Sequence, residues 1–391
     1  MPNNPTTHLP YWLAASYLPD VGPRKFTRWL THFDNIQALF TASTDALTQA
    51  GISAQHIQAI RAPDWQSVER DLTWAQTAQQ HILTLQDASY PSLLKEISDP
   101  PLVLYVQGNV DALHHRQLAI VGSRRATPAG LNHAETFAAT LVQAGFVITS
   151  GLALGIDAAS HRGALQAKGL TIAVMGTGLQ HIYPSAHRGL VAAILNQQGA
   201  IVSEFPLTMS PRPENFPRRN RVIAGLSMGV LVVEAALKSG SLVTARHALE
   251  QGREVFAIPG SIHNFFAHGC HHLLKQGAKL VETATDILEE LNNYPSQPLS
   301  TNPPSAVQFT MALPAAQTIP PIDKMSLSSQ VPAQLSKNNR ALLEQIDYDV
   351  TPIDAIILRS GLTASEVSSM LLTLELAGYI QSCAGGYMRC C

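Results

Sequence analysis

Residues 203–260, SEFPLTMSPRPENFPRRNRVIAGLSMGVLVVEAALKSGSLVTARHALEQGREVFAIPG, place Arg212, Arg218, Arg219 and Arg221 near two separate helix starts, with Glu214 as the one acid among them. Guanidinium forks match phosphate oxygens in pairs, and a helix start such as Ser239-Gly240-Ser241 adds backbone N–H donors that favour an anion. A phosphate-bearing polymer or nucleotide is the chemistry this pattern suits. A second loop, IVGSRRATPAG at 120–130, carries Arg124 and Arg125 behind the turn-forming Gly122, with Thr127 expected as N-cap and Pro128 at the first helical position. Neither GxGxxG nor GxxxxGK[ST] occurs, which argues against ordinary dinucleotide or P-loop binding.

Two further loops belong to the same set. Residues 150–165, SGLALGIDAASHRGAL, put Asp157 and His161 on one helix face, as an acid/base pair or as a polar contact that anchors the helix. Residues 175–190, MGTGLQHIYPSAHRGL, carry Gly176, Gly178 and a Tyr183-Pro184 turn.

The elements that must position these loops are short apolar runs at 118–122, 145–150, 170–176, 199–204, 229–234 and 254–260, separated by helical stretches. Runs apolar on both faces suit a buried parallel sheet whose carboxyl ends gather on one ligand-binding edge. The predicted fold class is α/β, a doubly wound, mainly parallel sheet, flanked by a small N-terminal helical domain and a C-terminal winged-helix-like domain. Expected boundaries are 1–85 for the helical domain, 86–290 for the sheet domain, 291–337 for a disordered Pro, Ser and Gln-rich linker, and 338–391 for the last unit.

The helical domain shows segments at 10–18, 23–32, 36–40 and 65–80, and its LPDVGPRKFTRWL (18–30) resembles a helix-hairpin-helix or SAM-like turn, with Asp20 where glycine is usual. A plain helix-turn-helix packing element is the competing reading. The last unit shows helices at 338–346, 352–359 and 365–376 and a hairpin turning at Gly385-Gly386, with Thr363 and Glu366 as a capping box. Its third helix carries Glu366 and Glu375 and no Lys or Arg, which favours protein contact over groove reading.

Whole-chain charge excludes a generally basic protein: 26 Lys and Arg against 28 Asp and Glu leave −2. Any affinity for polyanions must be local. With 391 residues, 46% of them hydrophobic, the chain can fill two or three domains. Cys270, Cys383, Cys390 and Cys391 form no CxxC pair or disulfide framework, and the N-terminus has no basic n-region or spanning apolar run. Free thiols and a cytoplasmic location are expected. The cluster His268, Cys270, His271, His272 has no matching second pair, so no metal and no cofactor are expected.

GSR, SGLAxGID, GTGLxxxYP, FPxRNRxIAGLS, VVEA, SGSLxTAR and FAIPG stand in this order across 122–260. Together they resemble the DNA-processing protein A (DprA, or Smf) family, and residues 90–108 and 269–282 extend the likeness. The resemblance implies an extended Rossmann-like domain that binds single-stranded DNA, protects the incoming strand, forms a homodimer and loads the RecA recombinase during natural transformation in competent cells, without catalysis. By motif it implies DNA contacts at Gly122, Ser123, Arg124, Ser150, Gly151, Phe216, Arg218, Asn220, Arg221, Ser239, Gly240 and Ser241. It also implies a dimer interface on a helix within 269–280 at His271, Leu273, Leu274 and Leu280. Ser185 stands where some relatives carry lysine, so that cation must come from His187 or Arg188 or be missing. Phe265-Phe266 and His268 replace residues that are more often Pro and polar. The alternative is a nucleotide-processing enzyme of the phosphoribohydrolase-like type, with Asp157, Glu204 or Glu234 activating water, though its PGGxGTxxE loop is absent.

Overall fold

The computed structural model describes residues 8–292, 335–348, 350–383 and 385–390, so the expected linker lies, except for its ends, outside the described residues. The chain divides into two compact units, 1–295 and 296–391.

The first unit opens with six short helices, α1 (Leu9–Ser16), α2 (Pro23–Leu30), α3 (Ile36–Thr41), α4 (Thr44–Gln49), α5 (Ala54–Arg61) and α6 (Trp65–Trp74). Asn35, Ser43 and Asp64 start α3, α4 and α6 by accepting from the N–H three residues on, the ordinary N-cap bond. Phe26 and Trp29 of α2 are buried. That helix therefore packs inward as a structural element, and Asp20 takes the left-handed φ of 54° that its turn requires.

Nine strands follow: β1 (Gln80–Thr84), β2 (Val103–Gly108), β3 (Gln117–Val121), β4 (Val147–Ser150), β5 (Thr171–Val174), β6 (Ala200–Ser203), β7 (Gly229–Val232), β8 (Glu254–Ala257) and β9 (Lys279–Leu280). They form one sheet in the order β1-β2-β6-β5-β4-β3-β7-β8-β9. The seven strands from β3 to β9 pair in parallel, while β1 and β2 add an antiparallel edge. Helix α7 (Ser92–Lys95) lies between β1 and β2; α8 (Pro128–Gln143), α9 (Ile156–Gln166), α10 (Arg188–Asn196), α11 (Asn215–Leu226), α12 (Gly240–Glu250) and α13 (His268–Lys275) make the crossovers, and α14 (Ala284–Asn292) follows the last strand.

Alternate strand residues feed opposite faces. Ala119, Val121, Val230 and Val232 meet Val222 of α11 and Ala245 of α12, whereas Leu118, Ile120, Leu231 and Phe256 meet Ala134 of α8 and Ala159 of α9. This is the period of two of a doubly covered sheet. The chain runs outward from β3 through β4, β5 and β6, then returns to β7 on the other side of β3. The topological switch point lies between β3 and β7, where ligands of such sheets bind.

All six expected sheet strands are present; β1, β2 and β9 were not foreseen. Gln80–Thr84 belongs to the sheet, so the boundary expected at 85 corrects to a point before β1. The six helices also share a core with the sheet: Trp12, Leu13 and Phe26 cluster with Val103, Tyr105 and Met175. The signal was missed because QHILT is half polar and follows α6 closely, so it reads as the end of a helix. Buried Asp71 of α6 joins the two parts, accepting from the hydroxyls of Tyr17 at 2.9 Å and Tyr105 at 2.6 Å.

The second unit has α15 (Lys337–Leu343), α16 (Ile353–Ser360), α17 (Ala364–Leu376) and the hairpin β10 (Ile380–Cys383) and β11 (Gly386–Arg389). Leu342, Ile356, Val367, Leu371 and Leu374 make its core. The capping box is present: the Glu366 N–H donates to the Thr363 hydroxyl at 3.4 Å, and the Thr363 N–H donates to the Glu366 carboxylate at 2.9 Å. Among the described residues no single helix is long and apolar enough to cross a membrane; the bent pair Ile353–Ser360 and Ala364–Leu376 passes only jointly, across a 110° break.

Burial holds the Asp71 carboxyl above the ordinary carboxylate range, so its ionisation opposes folding. Stability from this group is complete below its unfolded pKa of about 4 and is lost as pH rises through the folded value. Asp71→Asn keeps an acceptor for both tyrosines without the charge. Urea unfolding should find the variant at least as stable as the parent at pH 8, with a smaller fall between pH 4 and pH 8.

Candidate nucleic-acid interface

The loops after β3, β4, β5, β7 and β8, with the start of α11, enclose a groove of about 670 Å³ at the switch point. Arg124, Tyr183, Phe216, Lys238, Ser239 and Phe266 are among its walls. Rings and cation are layered: Tyr183 and Phe216 have centroids 5.6 Å apart at 47°, and the Arg124 guanidinium lies 5.7 Å from the Phe216 centroid. Phe216 can sit low because Gly176 carries no side chain; a Cβ there would stand 2.7 Å from the ring. Tyr183, 48% exposed, offers a wet aromatic face. Such faces accept any nucleobase.

The start of α12 forms another wall through Ser239, Gly240 and Ser241. Ser239 caps the helix, its hydroxyl accepting from Ser241 N at 3.3 Å, and Asn220 Nδ2 donates to Gly240 O at 3.1 Å. Across the switch point, Glu234 accepts from Thr127 N at 2.9 Å and from its hydroxyl at 2.7 Å. Thr127 in turn caps α8, and this holds the loop bearing Arg124 and Arg125 against β7.

Beneath the groove lies Arg219, 4% exposed. Its guanidinium donates to Gly151 O at 2.5 Å and to Val174 O, and its Nε donates to Asn220 Oδ1 at 3.1 Å. Burial lowers its pKa to about 10, which leaves it cationic at neutral pH. Asp157 faces the same charge and accepts from Gly151 N at 3.1 Å and Ala153 N at 3.4 Å. Burial raises this carboxyl, and the Arg219 charge opposes the rise.

Of the residues named from sequence, Gly122, Ser123, Arg124, Phe216, Asn220, Ser239, Gly240 and Ser241 line the groove. Ser150 and Gly151 do not. The Ser150 hydroxyl donates to Ile120 O at 2.6 Å, and Gly151 is covered by Arg219. Arg218 and Arg221 also leave it: both reach Glu204, Arg218 at 3.3 Å, and Arg221 adds Asp99 at 3.6 Å. They share one side of α11 at a spacing of three, while Phe216 and Asn220 mark the side toward the groove. Tyr183, Lys238 and Phe266 were missed as site residues. The first two were signalled by the YP turn and by adjacency to the SGS helix start; Phe266 had no signal in local spacing.

The carboxylates named for the enzymatic alternative each have structural partners, and Asp157 also lines the groove. Asp157 and His161 do not pair; His161 Nδ1 lies 2.7 Å from the Thr171 hydroxyl, and burial lowers its pKa to about 3. Glu204 is held by Arg218 and Arg221, and Glu234 by Thr127. His187 Nδ1 lies 2.8 Å from Leu152 O, and neither His187 nor Arg188 lines the groove, whereas Lys238 from another loop does. Among the described residues no three His, Cys, Asp or Glu side chains converge on one point.

The expected dimer set divides. Residues 269–280 are not one helix but α13 without its first residue, followed by a turn and β9. Leu273 is buried in the sheet core, Leu274 packs against it, and His271 Nε2 lies 3.0 Å from Gly260 O. Leu280 alone is substantially exposed, at 47%, on the edge strand. The apolar spacing in 269–280 was sufficient to show a face, and the neighbouring sheet decided that Leu273 turns inward.

These features define a doubly wound α/β protein with a cationic, aromatic-walled groove at its switch point. The family model for DNA recombination-mediator protein A matches residues 81–292, and that for the DprA winged helix domain matches 327–386. The chain belongs to this DprA/Smf family. It is 42% identical over 365 residues to Protein Smf of Escherichia coli (strain K12), covering 93% of this chain and 90% of that protein. It is 47% identical over 207 residues to DNA processing protein DprA of Streptococcus pneumoniae (strain ATCC BAA-255 / R6), 53% of this chain and 73% of that one. The X-ray structure of Streptococcus pneumoniae DprA superposes with a TM-score of 0.63 at 37% identity, covering 72% of this chain and 96% of that chain.

The packing of Arg219 on Gly151 generates a stability test. A Cβ on Gly151 would stand 2.5 Å from the guanidinium. Gly151→Ala should cost about 1–3 kcal/mol in reversible unfolding. In an Arg219→Met background, where the fork is gone, the same change should cost measurably less; equal costs in both backgrounds would show that Arg219 is not the obstruction.

Proposed function

We propose that this protein is a single-stranded DNA-binding recombination mediator. The observation that carries the reading is the groove itself, where Arg124, Lys238 and the α12 start offer phosphate contacts beside the tilted ring pair Tyr183 and Phe216. Cations that follow a backbone next to exposed rings suit an unpaired strand, because only unstacked bases can lie on side-chain rings. The helices that line the groove, α11 and α12, pack on the sheet through Val222 and Ala245.

The family's description as a recombination mediator supports the finer reading that the bound strand is protected and then handed to a RecA-type recombinase, with no bond made or broken by this chain. Natural transformation is the setting that the resemblance suggests, and the cytoplasm is the location. For the winged-helix unit we favour a protein partner, since α17 exposes Glu366, Leu372 and Leu376 and carries no cation. Homodimerisation through the β9 edge is supported by exposed Leu280.

Titration with an unstructured oligonucleotide at several salt concentrations tests the main reading. Affinity should fall with a slope of about −0.7 per neutralised phosphate and exceed that for duplex of the same length. Arg124→Ala should weaken binding about tenfold or more at unchanged thermal stability, because a charge-assisted contact contributes roughly 1.5–3 kcal/mol. Arg124→Lys should recover part of the loss. A flat salt response, equal duplex affinity or full competition by a nucleoside monophosphate would reject it. For the homodimer, Leu280→Glu should shift sedimentation toward the monomer while the far-ultraviolet spectrum stays unchanged.

A further inference from the structure

The loop after β8 places two adjacent phenylalanines at the surface. Phe265 is 58% exposed, while Phe266 is half-buried and lines the same groove as Arg124 and Lys238. Their centroids lie 5.6 Å apart at 76°, and Phe265 also meets the His268 ring at 6.1 Å. The rings are held in place by backbone bonds on both sides. Ala235 N donates to Phe266 O at 2.6 Å, Phe266 N donates to Asn264 Oδ1 at 2.9 Å, and Ala267 N donates to Asn264 O at 2.9 Å. Asn264 Nδ2 reaches Glu234 Oε1 at 3.5 Å, the carboxylate that also holds Thr127 behind Arg124. The loop is therefore tied to the same anchor as the cationic loop.

Sheet order separates the strands from which the loops bearing Tyr183 and the phenylalanines leave. Tyr183 follows β5 and the phenylalanines follow β8, four strand steps apart in the sequence β5-β4-β3-β7-β8. At about 4.8 Å per step, the parent strands are about 19 Å apart. Arg124 and Lys238 follow β3 and β7, between them. The groove thus has aromatic walls from strands at either end and cations from the strands between.

We propose that Phe265 and Phe266 form a second base-stacking station for single-stranded DNA, with Tyr183 and Phe216 as the first and the intervening phosphates held by Arg124 and Lys238. This rests on the single-strand reading above and extends it to residues outside the family's shared motifs. An exposed aromatic pair continuous with a cationic groove matches a strand of alternating rings and phosphates.

The test uses the full chain with an oligothymidylate of about twelve nucleotides and one of about three, too short to occupy both stations. Phe265→Ala and Phe265→Leu should each weaken the longer oligonucleotide about tenfold and leave the shorter within about twofold, whereas Phe265→Tyr should bind like the parent. Leucine keeps the apolar volume, so its failure to rescue separates stacking from packing. The indole introduced by Phe265→Trp should be quenched by the longer oligonucleotide only. The proposal is overturned if Phe265→Ala and Phe265→Leu bind the longer strand like the parent, if leucine rescues fully, or if the indole is unquenched. It is also overturned if the loss tracks a change in sedimentation, which would make the pair an assembly contact. A parent that binds neither oligonucleotide defeats the single-strand reading itself, and this extension with it.

Discussion

One buried guanidinium organises the ligand edge of this molecule. Arg219 leaves α11 and ties the carboxyl ends of β4 and β5 through Gly151 O and Val174 O, with Asp157 supplying the opposing charge. Taking a charge out of water is costly unless its hydrogen bonds are met, so this arrangement tolerates little displacement. Asp157 spends its carboxylate on Gly151 and Ala153 N–H groups, so the loop after β4 is gripped from both its carbonyl and its amide sides. Phe216 and Asn220 flank Arg219 in the same helix, and their position in the groove follows from it.

The same economy governs charge. A chain with net −2 presents a positive groove because Asp157, the one acid among the described residues in its lining, faces the Arg219 charge. Glu204 draws Arg218 and Arg221 to one side, and Glu234 is committed to Thr127. The groove keeps Arg124, Arg125 and Lys238, cations on loops at the carboxyl ends of strands. Asp157 and Glu234, two of the carboxylates named in the hydrolytic alternative, anchor the loops after β4 and β3.

The flanking elements differ in kind. The six N-terminal helices are fused to the sheet through a common core and through the Tyr17–Asp71–Tyr105 link, so they brace strand β2. The C-terminal unit has its own closed core and leaves Leu358, Leu372 and Leu376 exposed on α16 and α17.

Sequence by itself determined the parts that depend on local period and backbone chemistry. The six parallel strands appeared as apolar runs because both their faces are covered, and Thr127-Pro128 and Thr363 with Glu366 announced helix starts through bonds within four residues. Gly122, Arg124, Phe216 and Ser239 were placed at one edge because strand polarity alone sends those loops there. Tertiary structure decided the rest. Strand β1 is half polar and is stabilised by pairing with β2, so its own residues do not declare it. Arg218, Arg219 and Arg221 are chemically identical and nearly adjacent, and a turn of helix sends one beneath the groove and two to Glu204. Leu273 and Leu280 likewise share a type but not a fate, since one meets the sheet and the other ends its edge. A side chain's role in each case was set by which distant surface its backbone direction reached, and that surface is assembled only when the strands come together.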